Sequence, residues 1–482
     1  MSPNRPAKPP LDMKESTPKS PEKSQPGLTR RHFIKTGAAA ALTAASWNRV
    51  LGANERVNVG VIGFGLIGRI HTRNFKAQPD AQVVAVAEAY GPRMEAAAGL
   101  VGGGLAKYRD FRKLLDDKNI DAVVVATPDH WHALMTMLAC AAGKDVYVEK
   151  PSSLFVREGR WMIDVARRYK RVVQVGTQQR SGAHYQRARE LVRGGRIGKL
   201  VSVQVSYFRN VSPGFGHPPD GAPPPELDYD AWLGPAPQRP YNPNRAIYHF
   251  RWFWDYSGGQ MTNLGQHSLD VVHWFTGVKG AKAVTSAGGR HFLEDNCEVP
   301  DTQDAIIEYP GFQAVCQWRE CAAGVAATGM GGLVFHGTKG TLLLGRDGFE
   351  VIPDKKENPI NIVARIIGGH PVGGPQPVPE TPNQFWTEPA KETSGDWKDQ
   401  YVQHVRNFLD CVKSRKQPNS DLESGHQVAT VCHLANISLR TGRKIHWDAE
   451  KEEIIGDLES AKMLARPYRK PWDADLRALG VV

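Results

Sequence analysis

Lys150 stands between Glu149 and Pro151, at the end of the apolar run Asp145 to Val148. An ammonium at a strand end can bond a substrate hydroxyl and favour the alkoxide from which a hydride departs. Taken alone, a lysine at such a place also reads as a solvated surface residue. The second chemical stretch is Gly258-Gly259-Gln260-Met261-Thr262-Asn263-Leu264-Gly265-Gln266-His267-Ser268-Leu269-Asp270. On a helix, Asn263, His267 and Asp270 fall at i, i+4 and i+7 and share one face. A histidine there suits general-base work, because its ordinary pKa of about 6.5 lets it take a hydroxyl proton. The competing reading is a buried, hydrogen-bonded core histidine. Asp270 is expected to orient His267 or to cap neighbouring backbone.

These groups need an electron acceptor, and the start of the apolar sequence offers a cradle for one. Val57 to Ile62 runs into Gly63-Phe64-Gly65-Leu66-Ile67-Gly68, then into an amphipathic helix from about Ile67 to Ala77. Gly63 permits the tight turn, Gly65 lets the backbone approach a pyrophosphate, and Gly68 lets helix and strand pack closely. Unpaired N–H groups and the helix dipole favour an anion at the helix start. A second apolar strand, Val83 to Ala87, ends at Glu88. A carboxylate about 20 residues beyond the glycines is where adenosine ribose hydroxyls need an acceptor. It repels a 2′-phosphate, so NAD is expected rather than NADP, although Arg93 lies close by.

Further elements must bring these residues together. Asp121 to Ala126 reads as a buried strand ending in Thr127-Pro128-Asp129-His130-Trp131-His132, followed by a helix to Ala142. The strand Asp145 to Val148, a helix from Val156 to Tyr169 and a strand from Arg171 to Val175 follow. Alternating strands and helices with near-continuous apolar strands indicate a parallel sheet covered on both faces. Ligands then sit at the carboxyl ends of the strands, where Gly63, Glu88, Thr127, Glu149 and Lys150 all fall.

The glycine strand, Thr127-Pro128 through His132, and Glu149-Lys150-Pro151 together resemble the glucose–fructose oxidoreductase, inositol dehydrogenase and MocA (Gfo/Idh/MocA) family. The resemblance runs from about Val57 to Asp448. It implies an α/β chain: a Rossmann parallel sheet, then an α/β substrate domain with an open, mostly antiparallel sheet. Leu200 to Tyr207, Ala281 to Ala287, Thr302 to Tyr309, Ala314 to Glu320, Leu333 to His336 and Thr341 to Leu344 read as its strands. Two late helices, Gln400 to Ser414 and Gly425 to Thr441, resemble closing helices that in the family often pack back onto the first domain. The resemblance implies catalytic roles for Lys150, His267 and Asn263. It implies cofactor contacts from Gly63, Phe64, Gly65, Leu66, Ile67, Gly68, Glu88, Thr127, Pro128, His132, Glu149, Lys150 and Gln178. The family's D-x-G-x-H-x-x-D segment has Asn263 here in place of its first aspartate, so a Lys–Asp–His arrangement is only partly present. Arg180, placed like Gln178 near the family's cleft, reads equally as a surface residue. The aromatic run Tyr248 to Tyr256 suits stacking on a sugar ring or a core cluster under a loop.

Length and composition fit two domains with tails: 482 residues, 41% hydrophobic and 23% charged. The expected division is 1–53 as a disordered region and signal, 54–178 as the NAD-binding domain, 179–449 as the substrate domain, and 450–482 as a charged, uninformative tail. Residues 1–53 carry nine Lys or Arg against three acids, a net +6 of the chain's +11. No basic run with interleaved aromatics appears in the folded part, which argues against a nucleic-acid partner. Thr29-Arg30-Arg31-His32-Phe33-Ile34-Lys35 and the short apolar stretch after it resemble a twin-arginine export signal. Export to the periplasm through that machinery is expected, with anchoring by an uncleaved signal as the competing reading. The six cysteines lack CxxC spacing and no fixed histidine spacing marks zinc, so neither metal nor disulfide framework is expected. Val351 to Ser394, rich in Pro, Gly and Asn, reads as a long loop or lid. A homo-oligomer acting on a sugar or polyol is the expectation. An NAD-dependent glycosidase working by transient oxidation, and a noncatalytic sugar-binding protein, are the alternatives.

Overall fold

The computed structural model describes residues 56–322 and 332–482, apart from 358, 370, 371, 377, 378, 380–383 and 397. The expected export signal lies outside the described residues. The first sheet contains β1 (Val57–Ile62), β2 (Ala81–Ala87), β3 (Ala106–Tyr108), β4 (Ala122–Val125), β5 (Asp145–Val148) and β6 (Val173–Val175). All pairs are parallel, in the order β3-β2-β1-β4-β5-β6. β4, β5 and β6 are buried at every residue, as continuous apolar runs require when helices cover both faces. The order reverses between β1 and β4, which opens a crevice beyond their carboxyl ends.

Among the described residues, the second sheet has ten strands in the order β14-β13-β12-β11-β7-β10-β9-β8-β15-β16. They are β7 (Leu200–Phe208), β8 (Ala283–Gly289), β9 (Thr302–Tyr309), β10 (Phe312–Arg319), β11 (Gly332–Gly337), β12 (Gly340–Gly345), β13 (Gly348–Pro353), β14 (Ala390–Thr393), β15 (Ile445–Asp448) and β16 (Glu453–Ile454). Only β7 and β10 pair in parallel; the other paired strands run antiparallel. The helices Gly265–Thr276 and Leu422–Thr441 bury their apolar residues against this sheet, with Phe275 stacked on Phe335 at 5.3 Å.

The two sheets share helices across the sequence division. Leu422–Thr441 packs on the helix Val156–Arg168 of the first sheet and on β8 of the second. The helix Asp399–Ser414 places Val405, Phe408 and Leu409 in one cluster with Val57, Val59 and Val61 of β1. This is the return to the first half that the resemblance implied.

Two expectations need correction. The stretch from 351 to 394 is not one loop: it holds the end of β13, a helix at Pro359–Ile366 and β14. The segment after 450 is not a featureless tail. Tyr468, Trp472, Leu476 and Leu479 are buried in the cluster that covers the first sheet. Tyr468 donates its hydroxyl to Glu158 at 2.8 Å, and Arg469 pairs with Asp230 at 2.6 Å. These apolar residues recur every three or four positions, a pattern the surrounding charges masked.

A Cβ on Gly68 would lie 2.1 Å from the Gly63 carbonyl oxygen, in the backbone of the turn itself. Gly68→Ala is therefore expected to lose about 1–3 kcal/mol or more of stability in urea unfolding. An unchanged midpoint would show that helix and turn do not depend on this approach.

Candidate functional site

The glycine turn is shaped to leave room on one side only. Gly63 has φ +89°, and a Cβ there would meet the Ala126 carbonyl at 2.7 Å. At Gly65 a Cβ would meet only an Arg93 nitrogen, at 3.6 Å. The space beside Gly65 thus belongs to the crevice rather than to packed protein. It opens into a cavity of about 270 Å³ lined by Gly63, Gly65, Leu66, Glu88, Thr127 and Pro128. The helix Leu66–Lys76 starts there with no side-chain cap, so its first N–H groups face outward as an anion site requires. Thr127 presents a buried hydroxyl with no partner among the described residues. These residues fit a dinucleotide.

Glu88 is held as well as placed. Its carboxylate accepts the Phe64 amide at 2.7 Å and the Tyr90 amide at 3.0 Å. Each oxygen keeps a lone pair for a ribose hydroxyl. The Phe64 side chain itself is core, packed with Val86, Met94 and Ala97. Ile67 lines the cavity, while Gly68 only lets the helix approach. The lining also includes Arg93, Arg109, Arg112, Tyr248, Arg251 and Trp472. Trp472 sits 4.8 Å from Trp131, and the Arg112 guanidinium lies 4.9 Å from its ring. Sequence reasoning did not find this C-terminal contribution.

Lys150 lies half-buried beyond β5 and donates to Asn263, at 2.8 Å to Oδ1 and 3.1 Å to the carbonyl. Loss of water around the ammonium, opposed by Glu149 and reinforced by Arg251, pulls its pKa down to about 8. Glu149 does not face the cavity. It bonds His71 Nε2 at 2.6 Å and accepts the Lys150 amide at 3.2 Å. Burial pushes its carboxyl up, but the bond from His71 and the nearby cations outweigh it and hold the pKa below the usual value. His132 is clamped between the carbonyls of Pro151 and Thr127, at 2.6 and 2.9 Å. It therefore positions the segment that carries Lys150 and is not among the cavity residues.

His267 and Asn263 lie on two short helices, Gly259–Asn263 and Gly265–Thr276, joined by Leu264 in helical conformation. His267 Nδ1 lies 2.9 Å from Gln179 Oε1. An amide oxygen only accepts, so Nδ1 carries the proton and Nε2 the lone pair. Burial, with Lys150 and Arg346 nearby, holds the His267 pKa well below its ordinary value. The ring stays neutral and able to accept a proton.

Asp270 does not orient this histidine. It forms a bidentate pair with Arg180, at 2.7 and 2.8 Å, and both are buried. Arg180 is thus not a surface residue, and the pair ties the helix Gly265–Thr276 to the segment after β6. The orienting residue is Gln179, which the sequence reading passed over beside Gln178. Gln178 is buried with Oε1 unpartnered. Asp129, also missed, is buried and accepts the Ser257 hydroxyl; burial raises its pKa. Most of the aromatic run is core: Phe250, Trp252, Phe253 and Tyr256 cluster with Trp232, while Tyr248 and Phe250 also reach the cavity wall. His130 bonds the Trp232 carbonyl at 3.0 Å, and burial lowers its pKa to about 3.

Residues 57–177 match the Gfo/Idh/MocA oxidoreductase model for an NAD-binding Rossmann fold. Residues 186–287 and 237–446 match two models of that family's C-terminal α/β domain. The myo-inositol 2-dehydrogenase of Thermotoga maritima is 31% identical over 407 residues, 83% of this chain and 100% of the relative. The inositol 2-dehydrogenase of Rhizobium meliloti is 33% identical over 150 residues, 31% of this chain and 44% of the relative. A solved levoglucosan dehydrogenase, in complex with NADH and levoglucosan, has the same fold, with TM-score 0.61 and 20% identity over 81% of this chain and 99% of its own.

Nitrogen NMR of the full chain should find His267 protonated on Nδ1 alone, and Gln179→Leu should convert it to a mixture of tautomers. A single unchanged tautomer in the variant would remove Gln179 from this role.

Proposed function

This chain belongs to the Gfo/Idh/MocA oxidoreductase family, and on that premise we propose how its site oxidises a secondary hydroxyl of a sugar or polyol with NAD, or runs the reverse reduction. The observation that carries the reading is a lysine cation and a neutral histidine of fixed tautomer close to one another, with Arg251 of the cavity lining near the lysine. NAD, when bound, supplies the hydride acceptor. Gly63, Gly65, Leu66 and Ile67 would hold its phosphates, and Glu88 its adenosine ribose. Lys150 binds the reacting hydroxyl and stabilises negative charge on its oxygen. His267 Nε2 takes the proton. Asn263 holds the Lys150 ammonium in place and carries no charge of its own. The relatives named as dehydrogenases do not favour the glycosidase or noncatalytic alternatives.

The paired Arg30-Arg31 before Phe33 and Lys35 supports export by the twin-arginine route, and with it a periplasmic enzyme that gains its cofactor before leaving the cytoplasm. A working division at 54–178 and 179–449, and assembly into homo-oligomers, complete the reading.

The Lys150 ammonium is present below its pKa of about 8 and is lost as pH rises through it. The kcat/KM for sugar oxidation should fall above that point, and Lys150→Arg should move the fall to higher pH. Lys150→Ala should lose roughly 10²–10⁴-fold. A wild-type rate that keeps climbing through that region would refute the cationic role. Changing Arg30 and Arg31 together to Lys should leave the protein in the cytoplasmic fraction; normal periplasmic recovery would remove the export reading.

A further inference from the structure

Two buried side chains, Gln260 and Glu320, continue the hydrogen-bond chain from the half-buried Asn263. Lys150 Nζ donates to Asn263 Oδ1 at 2.8 Å. Asn263 Nδ2 donates to Gln260 Oε1 at 3.0 Å. Gln260 Nε2 donates to Glu320 Oε1 at 2.6 Å. Glu320 is buried just beyond β10, where Arg209 donates to it from the end of β7 at 2.9 and 3.0 Å. Each amide in this chain has one donating and one accepting end. Glu320, as a carboxylate, can only accept. It therefore turns the Gln260 amine toward itself and the Gln260 oxygen toward position 263. That oxygen needs a donor, which asparagine supplies and an ionised aspartate cannot. The second end of Asn263 is then an oxygen, aimed at Lys150.

We propose that Glu320 is the positioning residue of this site: through Gln260 it sets the direction of the amide chain, and that direction is why asparagine, not the aspartate of the related motif, stands beside Lys150. An aspartate at 263 would face the Gln260 oxygen. Turning Gln260 over to satisfy it would set the same oxygen against Glu320. Either arrangement leaves two acceptors in contact in a buried place, which is costly. The site keeps one carboxylate for this chain and places it two amides away from the cation. Combining Asn263→Asp with Glu320→Gln moves that carboxylate from position 320 to position 263. The net charge is kept and the chain from 263 to 320 reverses; Arg209 keeps its bond to the oxygen left at position 320 and gives up its Nε bond to the other end. The new amide at position 320 donates to the turned Gln260 oxygen, and the Gln260 amine donates to the new carboxylate at position 263.

This inference rests on Lys150 being the working cation of the proposed oxidation, so the test includes readouts that need no turnover. Asn263→Asp, Glu320→Gln and the double variant are compared with wild type in the full chain. Three quantities are measured: kcat/KM for a sugar panel with NAD, thermal midpoint, and the pH midpoint of Lys150 acylation followed by peptide mass spectrometry. Asn263→Asp alone should lose at least tenfold in kcat/KM, with a lowered thermal midpoint. Adding Glu320→Gln should recover most of both losses and raise the Lys150 acylation midpoint above that of wild type. If Asn263→Asp is too unstable to assay, recovery of the folded protein in the double variant is the same non-additive result. The proposal is overturned if Asn263→Asp alone matches wild type, or if the double variant is no better than Asn263→Asp. Wild type that turns over no sugar would instead count against the proposed oxidation, while the stability and acylation measurements still decide the role of Glu320.

Discussion

A partly desolvated ammonium at the meeting of two sheets is the constraint around which this site is arranged. An ammonium removed from water must be surrounded by oriented oxygens or give up its proton. Lys150 meets the first condition through both oxygens of Asn263, a residue that sequence places far away on another domain. The segment bearing the lysine is fixed from behind by His71 on Glu149 and by His132 between two carbonyls. The helix bearing His267, which continues from the short helix of Asn263, is fixed by the Arg180–Asp270 pair. Neither half therefore builds the reactive geometry alone.

The cradle for the dinucleotide follows a different logic. It is made chiefly by what the chain leaves out: no Cβ at Gly65, no side-chain cap on the first helix, and, among the described residues, no partner for the Thr127 hydroxyl. Such openings in an otherwise well-packed wall are informative because protein interiors normally close them. Glu88 shows that one carboxylate can serve the fold and the ligand, since two backbone amides use it without exhausting its lone pairs.

What sequence revealed divides along the same line. The glycine turn, the strands of the first sheet, Glu88 and Lys150 were legible because local geometry writes itself locally: a turn needs its glycines, and a buried parallel strand needs its apolar run. Gln179, Glu320 and His71 were not legible. Each matters through a bond to a residue distant in the chain, and a glutamine or histidine has no local signature for that task. Asp270 misled for the same reason. Its spacing from His267 allowed an orienting bond, but a buried arginine claimed the carboxylate instead. The C-terminal segment was misread because abundant charges hid a regular apolar spacing.

Trp472 has a wider consequence. It belongs to a stretch beyond the end of the family-model matches, yet it lines the same cavity as the glycine turn and packs on Phe111 and Trp131. The nucleotide-binding half is therefore finished by sequence lying on the far side of the substrate half. Gene fusion or exchange at the obvious boundary would carry off a piece of that lining. The two halves are thus built like a sentence whose final clause completes its opening, and the first half taken without the last residues would lack part of its own lining.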